Sequence, residues 1–141
     1  MTNGWKRLNR RSVVGGAAMV SLALATGPSL AQKKYDEGIK SLESALGSAS
    51  GDFKASMLAM IAAGYEFKGD MGKAAEQYAK AAAASAFAAD KQGYEASQAR
   101  SLMAAGKSAD ARKIWERLAQ LDGALVQQEA NVRLGELLAK P

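Results

Sequence analysis

Residues 58–81 read LAMIAAGYEFKGDMGKAAEQYAKA. Leu58, Ile61, Ala62 and Tyr65 precede Gly69-Asp70, and Ala74, Tyr78 and Ala81 follow it. That period places one apolar stripe on each of two helices. Gly69-Asp70 is the turn between them, with the first helix ending near Lys68 and the second starting near Met71. Asp70 suits the N-cap of the second helix. Neither stripe is covered by its partner alone, so the pair needs neighbours.

The same pattern returns elsewhere. Gly106, Ala111, Trp115 and Leu118 repeat Gly69, Ala74, Tyr78 and Ala81 at a shift of 37 residues, with Ala99 and Leu102 in the places of Ala62 and Tyr65. Upstream, Tyr35, Gly38, Leu42 and Ala45 match Met71, Ala74, Tyr78 and Ala81 at a shift of 36. Downstream, Leu134-Gly135 aligns with Ile61-Ala62 at a shift of 73. Six helices are therefore expected, over about 33–46, 53–68, 71–84, 88–105, 108–121 and 124–140. The turn at 47–52 is rich in helix-stopping residues and offers Ser50 or Asp52 as an N-cap. Alanine, the best helix former, is abundant, and the only proline after residue 31 is Pro141. No strand-like alternation appears, so the fold class is all-α. One position departs from the repeat: Glu95 stands where a large apolar residue is expected, followed by Gln98. The register of that helix would slip there, or its face would be more exposed.

The pattern from Leu58 to Ala81, with its echoes, resembles the tetratricopeptide repeat (TPR), a helix-turn-helix unit of about 34 residues. The resemblance implies a TPR-like α-solenoid of about six antiparallel helices over residues 32–141; an unrelated α-hairpin bundle is the alternative. The turn at Gly106-Lys107, followed by Asp110-Ala111-Arg112, is similar to that of exported or membrane-anchored TPR proteins of bacterial envelopes. These include the ancillary subunit of the Sec translocon and the TPR domains of envelope-assembly factors.

In that family the first helix of each pair lines a concave groove. The lining positions fall here on Ser56, Ala59, Ala63, Glu66 and Phe67, on Gly93, Ala96, Arg100, Met103 and Ala104, and on Glu129, Val132, Glu136, Ala139 and Lys140. A partner-binding groove is expected with Phe67, Met103 and Val132 as apolar contacts and Glu66, Arg100, Glu129 and Glu136 as mixed charge. Phe67 and Met103 also fit a core role, and the charged residues also fit a solvated helix face. Arg100 and Lys140 are too few for a clamp on a carboxylate terminus, so an extended or helical apolar segment fits better. Tyr65, Tyr78 and Trp115 occupy packing positions and are expected in the core. Asp36-Glu37 would sit in a first helical turn, where negative charge suits the helix dipole.

Residues 1–31 have the layout of a signal peptide: a basic start, an apolar run over 13–25, Gly27-Pro28, and Ser29-Leu30-Ala31 before a cleavage point. Arg10-Arg11, then Ser12, Val13 and Val14, look like the twin-arginine export motif, although Val13 replaces the favoured Phe and no lysine follows. An ordinary Sec signal is the other reading. The apolar run, about 13 residues, is short beside the ~20 of a bilayer span, so cleavage is expected over an uncleaved anchor. Trp5 belongs to this segment.

Composition narrows the function. There is no cysteine and no histidine, which removes disulfides, thiolate metal sites and histidine-based catalysis. The net charge of +5 is concentrated in Lys6, Arg7, Arg10 and Arg11; the rest holds 15 basic against 14 acidic residues. A nucleic-acid partner therefore has no electrostatic footprint. No catalytic constellation, metal site or cofactor motif appears. The expectation is a non-enzymatic interaction module or scaffold of the periplasm or cell envelope. The alternative is a membrane-anchored, chaperone-like TPR protein that binds incompletely folded exported chains near the translocon. Partners would be envelope proteins, with a membrane involved only if the N-terminal segment is retained. An array this short also invites self-association or docking into a larger complex.

Overall fold

The structure is a computed structural model that describes residues 29–139. Residues 1–28 of the expected signal segment, Trp5 included, and the groove candidate Lys140 lie outside the described residues. Lys34–Pro141 groups as one compact unit and Met1–Lys33 as another. Among the described residues the chain is all-α: α1 (Leu30–Ala45), a 3-10 turn (Leu46–Ser48), α2 (Gly51–Phe67), α3 (Met71–Ala84), α4 (Ala88–Ala104), α5 (Ser108–Ala119) and α6 (Leu125–Ala139). From α2 onward each helix packs on the next, with a lighter contact between α4 and α6. No described helix is long and apolar enough to cross a membrane.

The two turns marked by the repeat have the same hydrogen bonds. Gly69 N–H donates to Glu66 C=O at 2.9 Å and Asp70 N–H to Tyr65 C=O at 2.9 Å. At the second turn Gly106 N–H donates to Met103 C=O at 3.1 Å and Lys107 N–H to Leu102 C=O at 2.8 Å. Both are Schellman motifs, which need a left-handed residue after the helix; Gly69 and Gly106 supply it with φ of 81° and 77°. Asp70 caps α3 as expected, its Oδ1 accepting from Lys73 N–H at 3.1 Å. That bond, helped by the Lys73 ammonium, holds the Asp70 carboxyl below its ordinary range.

The helix starts differ in part from expectation. Ser50 is the N-cap residue of α2, one of the two candidates, but it makes no side-chain capping bond, and Asp52 is not the cap. Asp52 instead accepts from Ala86 N–H at 2.8 Å and from the Ser85 hydroxyl at 3.2 Å, tying the α3–α4 connection to the start of α2. Further upstream, α1 starts at Leu30, because Ser29 and Gln32 form a reciprocal capping box with bonds of 3.2 and 3.3 Å. The expected cleavage point after Ala31 falls in this first turn. Asp36 and Glu37 therefore lie beyond the first turn, and Asp36 pairs with Lys68 of α2 instead of serving a helix dipole.

The helices meet largely through alanine. Ala62, Ala74, Ala81, Ala99, Ala111 and Ala130 are fully buried, with Leu58 and Ile61 in α2 and Leu102, Trp115 and Leu118 in α4 and α5. Tyr78 and Trp115 are core residues as expected. Tyr65 is only partly buried, its ring flanked by the ammonium groups of Lys68 and Lys73 at 5.6 and 5.4 Å.

The anomaly at Glu95 resolves without a register slip. Glu95 is only 8% exposed, and Arg117 of α5 reaches its Oε2 at 2.8 Å. Burying a carboxylate is tolerable when a cation and its hydrogen bond come with it. Arg117→Met should therefore lower stability by about 1–3 kcal/mol, the cost of stranding a buried charged acceptor. Adding Glu95→Leu should recover most of that loss. Denaturant midpoints of the two single variants and the double variant check this, and purely additive losses would refute the coupling.

Candidate partner-binding site

Near the end of α2, Glu66 holds two neighbouring helices at once. Tyr78 of α3 donates its hydroxyl to Oε2 at 3.1 Å, and Ser101 of α4 donates to Oε1 at 2.8 Å. Tyr78 and Ser101 are buried, and Glu66 is partly buried. Burial first, then the Glu66 charge and its hydrogen bond, push the Tyr78 phenol up to about 12, while Arg100 pulls the other way. The same joint recurs one repeat later in apolar form. Trp115 of α5 points its indole N–H at Met103 Sδ of α4 at 3.3 Å, and Leu137 of α6 packs against the cluster that holds Trp115. Glu66 and Met103 thus join helices and do not stand free on a groove wall. Ala96, another lining position, is buried in the core.

The remaining charged candidates do come together, on α4 and α6. Arg100 Nη1 lies 2.8 Å from both Glu129 oxygens, and Arg100 Nη2 donates to Ser97 Oγ at 2.9 Å. Arg133 extends the row, with Nε 3.6 Å from Glu129 and Nη1 3.0 Å from Glu136. Those carboxylates, Glu136 first, raise the Arg133 pKa further. Two cations and two anions neutralise one another here, so the row has no spare charge for an ionic ligand. Val132 stands beside it, mostly exposed.

The apolar part of the expected groove lies elsewhere, between α1 and α2. Tyr35, Gly38, Ile39 and Leu42 from α1 and Met60, Ala63, Gly64 and Phe67 from α2 line a cleft of about 300 Å³. Phe67 is 71% exposed and is not core; its ring stacks on Tyr35 with centroids 5.2 Å apart and planes 6° from parallel. Met60 is 59% exposed on the same wall. Gly64 lets the helices approach, since a Cβ there would stand 2.8 Å from Ile39 Cγ1. Tyr35 and Met60 were not recognisable as site residues from the sequence. Tyr35 aligns with Met71 as an ordinary repeat position, and only the tertiary fold sets it against Phe67. A wider opening of about 860 Å³, where α1, α2 and α3 meet, mixes Glu43, Lys54 and Lys80 with Leu46 and Leu58.

No family model, curated protein or solved structure matches this chain.

The joint at Glu66 has a measurable signature. A tyrosine raised from 10.0 to about 12 by folding contributes stability that is complete below pH 10 and is lost as pH rises through 12. Glu66→Gln should bring the Tyr78 titration down without returning it to the ordinary value, because burial is the larger cause. Tyrosinate absorbance, compared with a Tyr78→Phe control, reads this directly. An unmoved titration would show that Glu66 exerts no field on the phenol.

Proposed function

We propose that this chain is an exported, TPR-like α-solenoid that acts as a non-enzymatic interaction module of the bacterial periplasm or cell envelope, holding a protein partner by an apolar segment. The observation that carries the reading is the cleft between α1 and α2. An aromatic pair with Phe67 mostly exposed, beside a Met60 that is also exposed, is unfavourable in water and becomes favourable when a partner covers it. The TPR-like reading draws support from two helix pairs with identical Schellman turns and equivalent joints at a 37-residue shift. Export rests on the N-terminal layout alone. The balanced row from Arg100 to Glu136 would orient a partner at the edge without adding net charge.

The alternative, an anchored chaperone-like binder of incompletely folded exported chains, is favoured by a different observation. Phe53, Phe87 and Leu125 are also largely exposed, at separate places from the cleft. Scattered apolar contacts suit many clients more than one partner.

Met60→Ser with Phe67→Ser should weaken capture of a crosslinked envelope partner by at least about tenfold, the loss of roughly 1.4 kcal/mol. Helical circular dichroism should stay unchanged, because both side chains are exposed. Retained capture would move the binding site away from this cleft. N-terminal sequencing of the protein from its host separates the two readings: a start at Gln32 supports the free module, and an intact Met1 or Thr2 supports the anchored one.

A further inference from the structure

We propose that the cleft between α1 and α2 receives α6 of a second copy of this chain, so that the protein assembles head to tail. This rests on the reading of the chain as a stacked repeat with a binding cleft, and it names the occupant of that cleft.

The joints define the argument. One internal joint is Glu66, Tyr78 and Ser101, and the next is Met103, Trp115 and Leu137. Each takes one residue from the first helix of a pair, one from the second, and one from the first helix of the following pair. Moving this set back one repeat puts its second and third positions on Leu42 and Gly64. Both line the cleft, and no described helix supplies the first position. Moving the set forward puts its first position on Ala139, at the exposed end of α6, where no described helix supplies the other two. Among the described residues, each of these two surfaces therefore carries the half that the other lacks.

The chemistry of the three positions also matches. Glu66 needs the hydroxyls of Tyr78 and Ser101. A glutamate set against Leu42 and Gly64 would be stranded, whereas Ala139 packs there without a polar debt.

The close-packing positions agree. At the α2–α3 and α4–α5 interfaces they are Ala62 with Ala74 and Ala99 with Ala111, all fully buried. Their counterparts on the uncovered faces are Gly135 of α6 and Gly38 of α1, and a Cβ on either would meet nothing within 4 Å. Leu102 is 8% exposed where α5 covers it, and its counterpart Leu138 on α6 is 70% exposed. The two surfaces are thus the separated halves of an interface that the chain already makes twice. Such an interface is heterologous, so it propagates into a ring or a filament.

The test uses the full chain and two variants whose altered side chains are exposed. Sedimentation velocity of the wild type should show mass growing with concentration beyond a dimer. Met60→Asp blocks the cleft and Leu138→Asp blocks α6, so each alone should raise the apparent dissociation constant by at least about tenfold and leave a monomer. An equimolar mixture of the two should form a dimer and stop there, because one intact cleft meets one intact α6. A wild type that stays monomeric, with the cleft empty or filled by residues 1–28 of its own chain, overturns the proposal. A monomeric mixture does so too. The reading of the cleft as a binding site survives that failure if Met60→Ser with Phe67→Ser still releases a different, crosslinked envelope protein; if neither association is seen, both fall.

Discussion

The joint in which one side chain of a first helix touches both its partner helix and the next pair is the constraint on which this structure depends. Alanine faces bring helices close but give each contact little apolar area, and burial is worth only roughly 25 cal/mol per Å². Small flat faces also slide, since many registers bury similar amounts. Trp115 against Met103, in the cluster on which Leu137 packs, and Tyr78 and Ser101 on Glu66, break that degeneracy. Each joint fixes three helices with one cluster. The polar version does so through direction, because hydrogen bonds fail within a few tenths of an ångström. The apolar version does so through volume, because an indole fits one cavity.

What was legible in the sequence follows from the range of each interaction. The six helices, the turns at Gly69 and Gly106 and the capping by Asp70 depend on residues within one or two turns of each other, and periodicity reports those. The start of α1 was local too, but the Ser29–Gln32 box lies inside a stretch that also reads as a cleavage site. Asp52 looked like a cap because its nearest donors are local, yet its partners are Ser85 and Ala86, brought to it by the α2–α3 pair. Glu95 looked like a flaw because Arg117 lies six turns away along the chain and directly opposite in the fold. The site behaved the same way. The row from Arg100 to Glu136 was legible because the repeat puts its members on equivalent faces. Phe67 was ambiguous until α1 placed Tyr35 against it and left the outer ring face open.

The site residues also divide by what their neighbours leave over. Glu66, Arg100 and Glu129 are hydrogen-bonded across adjacent helices, and Arg133 is ion-paired with Glu129 and hydrogen-bonded to Glu136. Among the described residues, the buried Nε of Arg133 is left without a hydrogen bond. A partner that sought a charge there would have to break an existing pair, at a cost the new pair would only match. The apolar residues of the cleft have no such competitor. Met60 and most of Phe67 face water, so covering them displaces only solvent. In the proposed function, binding through this surface would be driven by area and shape, with the neutral polar row setting orientation.

That division bears on stability as well as on recognition. Among the described residues, α1 and α6 carry half-covered faces: Gly38 and Leu42 on α1, Gly135 and Leu138 on α6. In a stacked repeat, stability is nearly a sum of unit terms and interface terms, so each additional interface counts fully. A ligand or a second copy that binds only the folded array adds its binding free energy to the folding equilibrium by mass action. In the proposed assembly, covering the exposed apolar faces of α1 and α6 would add to the stability of the fold. Making those faces polar would favour the isolated chain and remove the proposed contact.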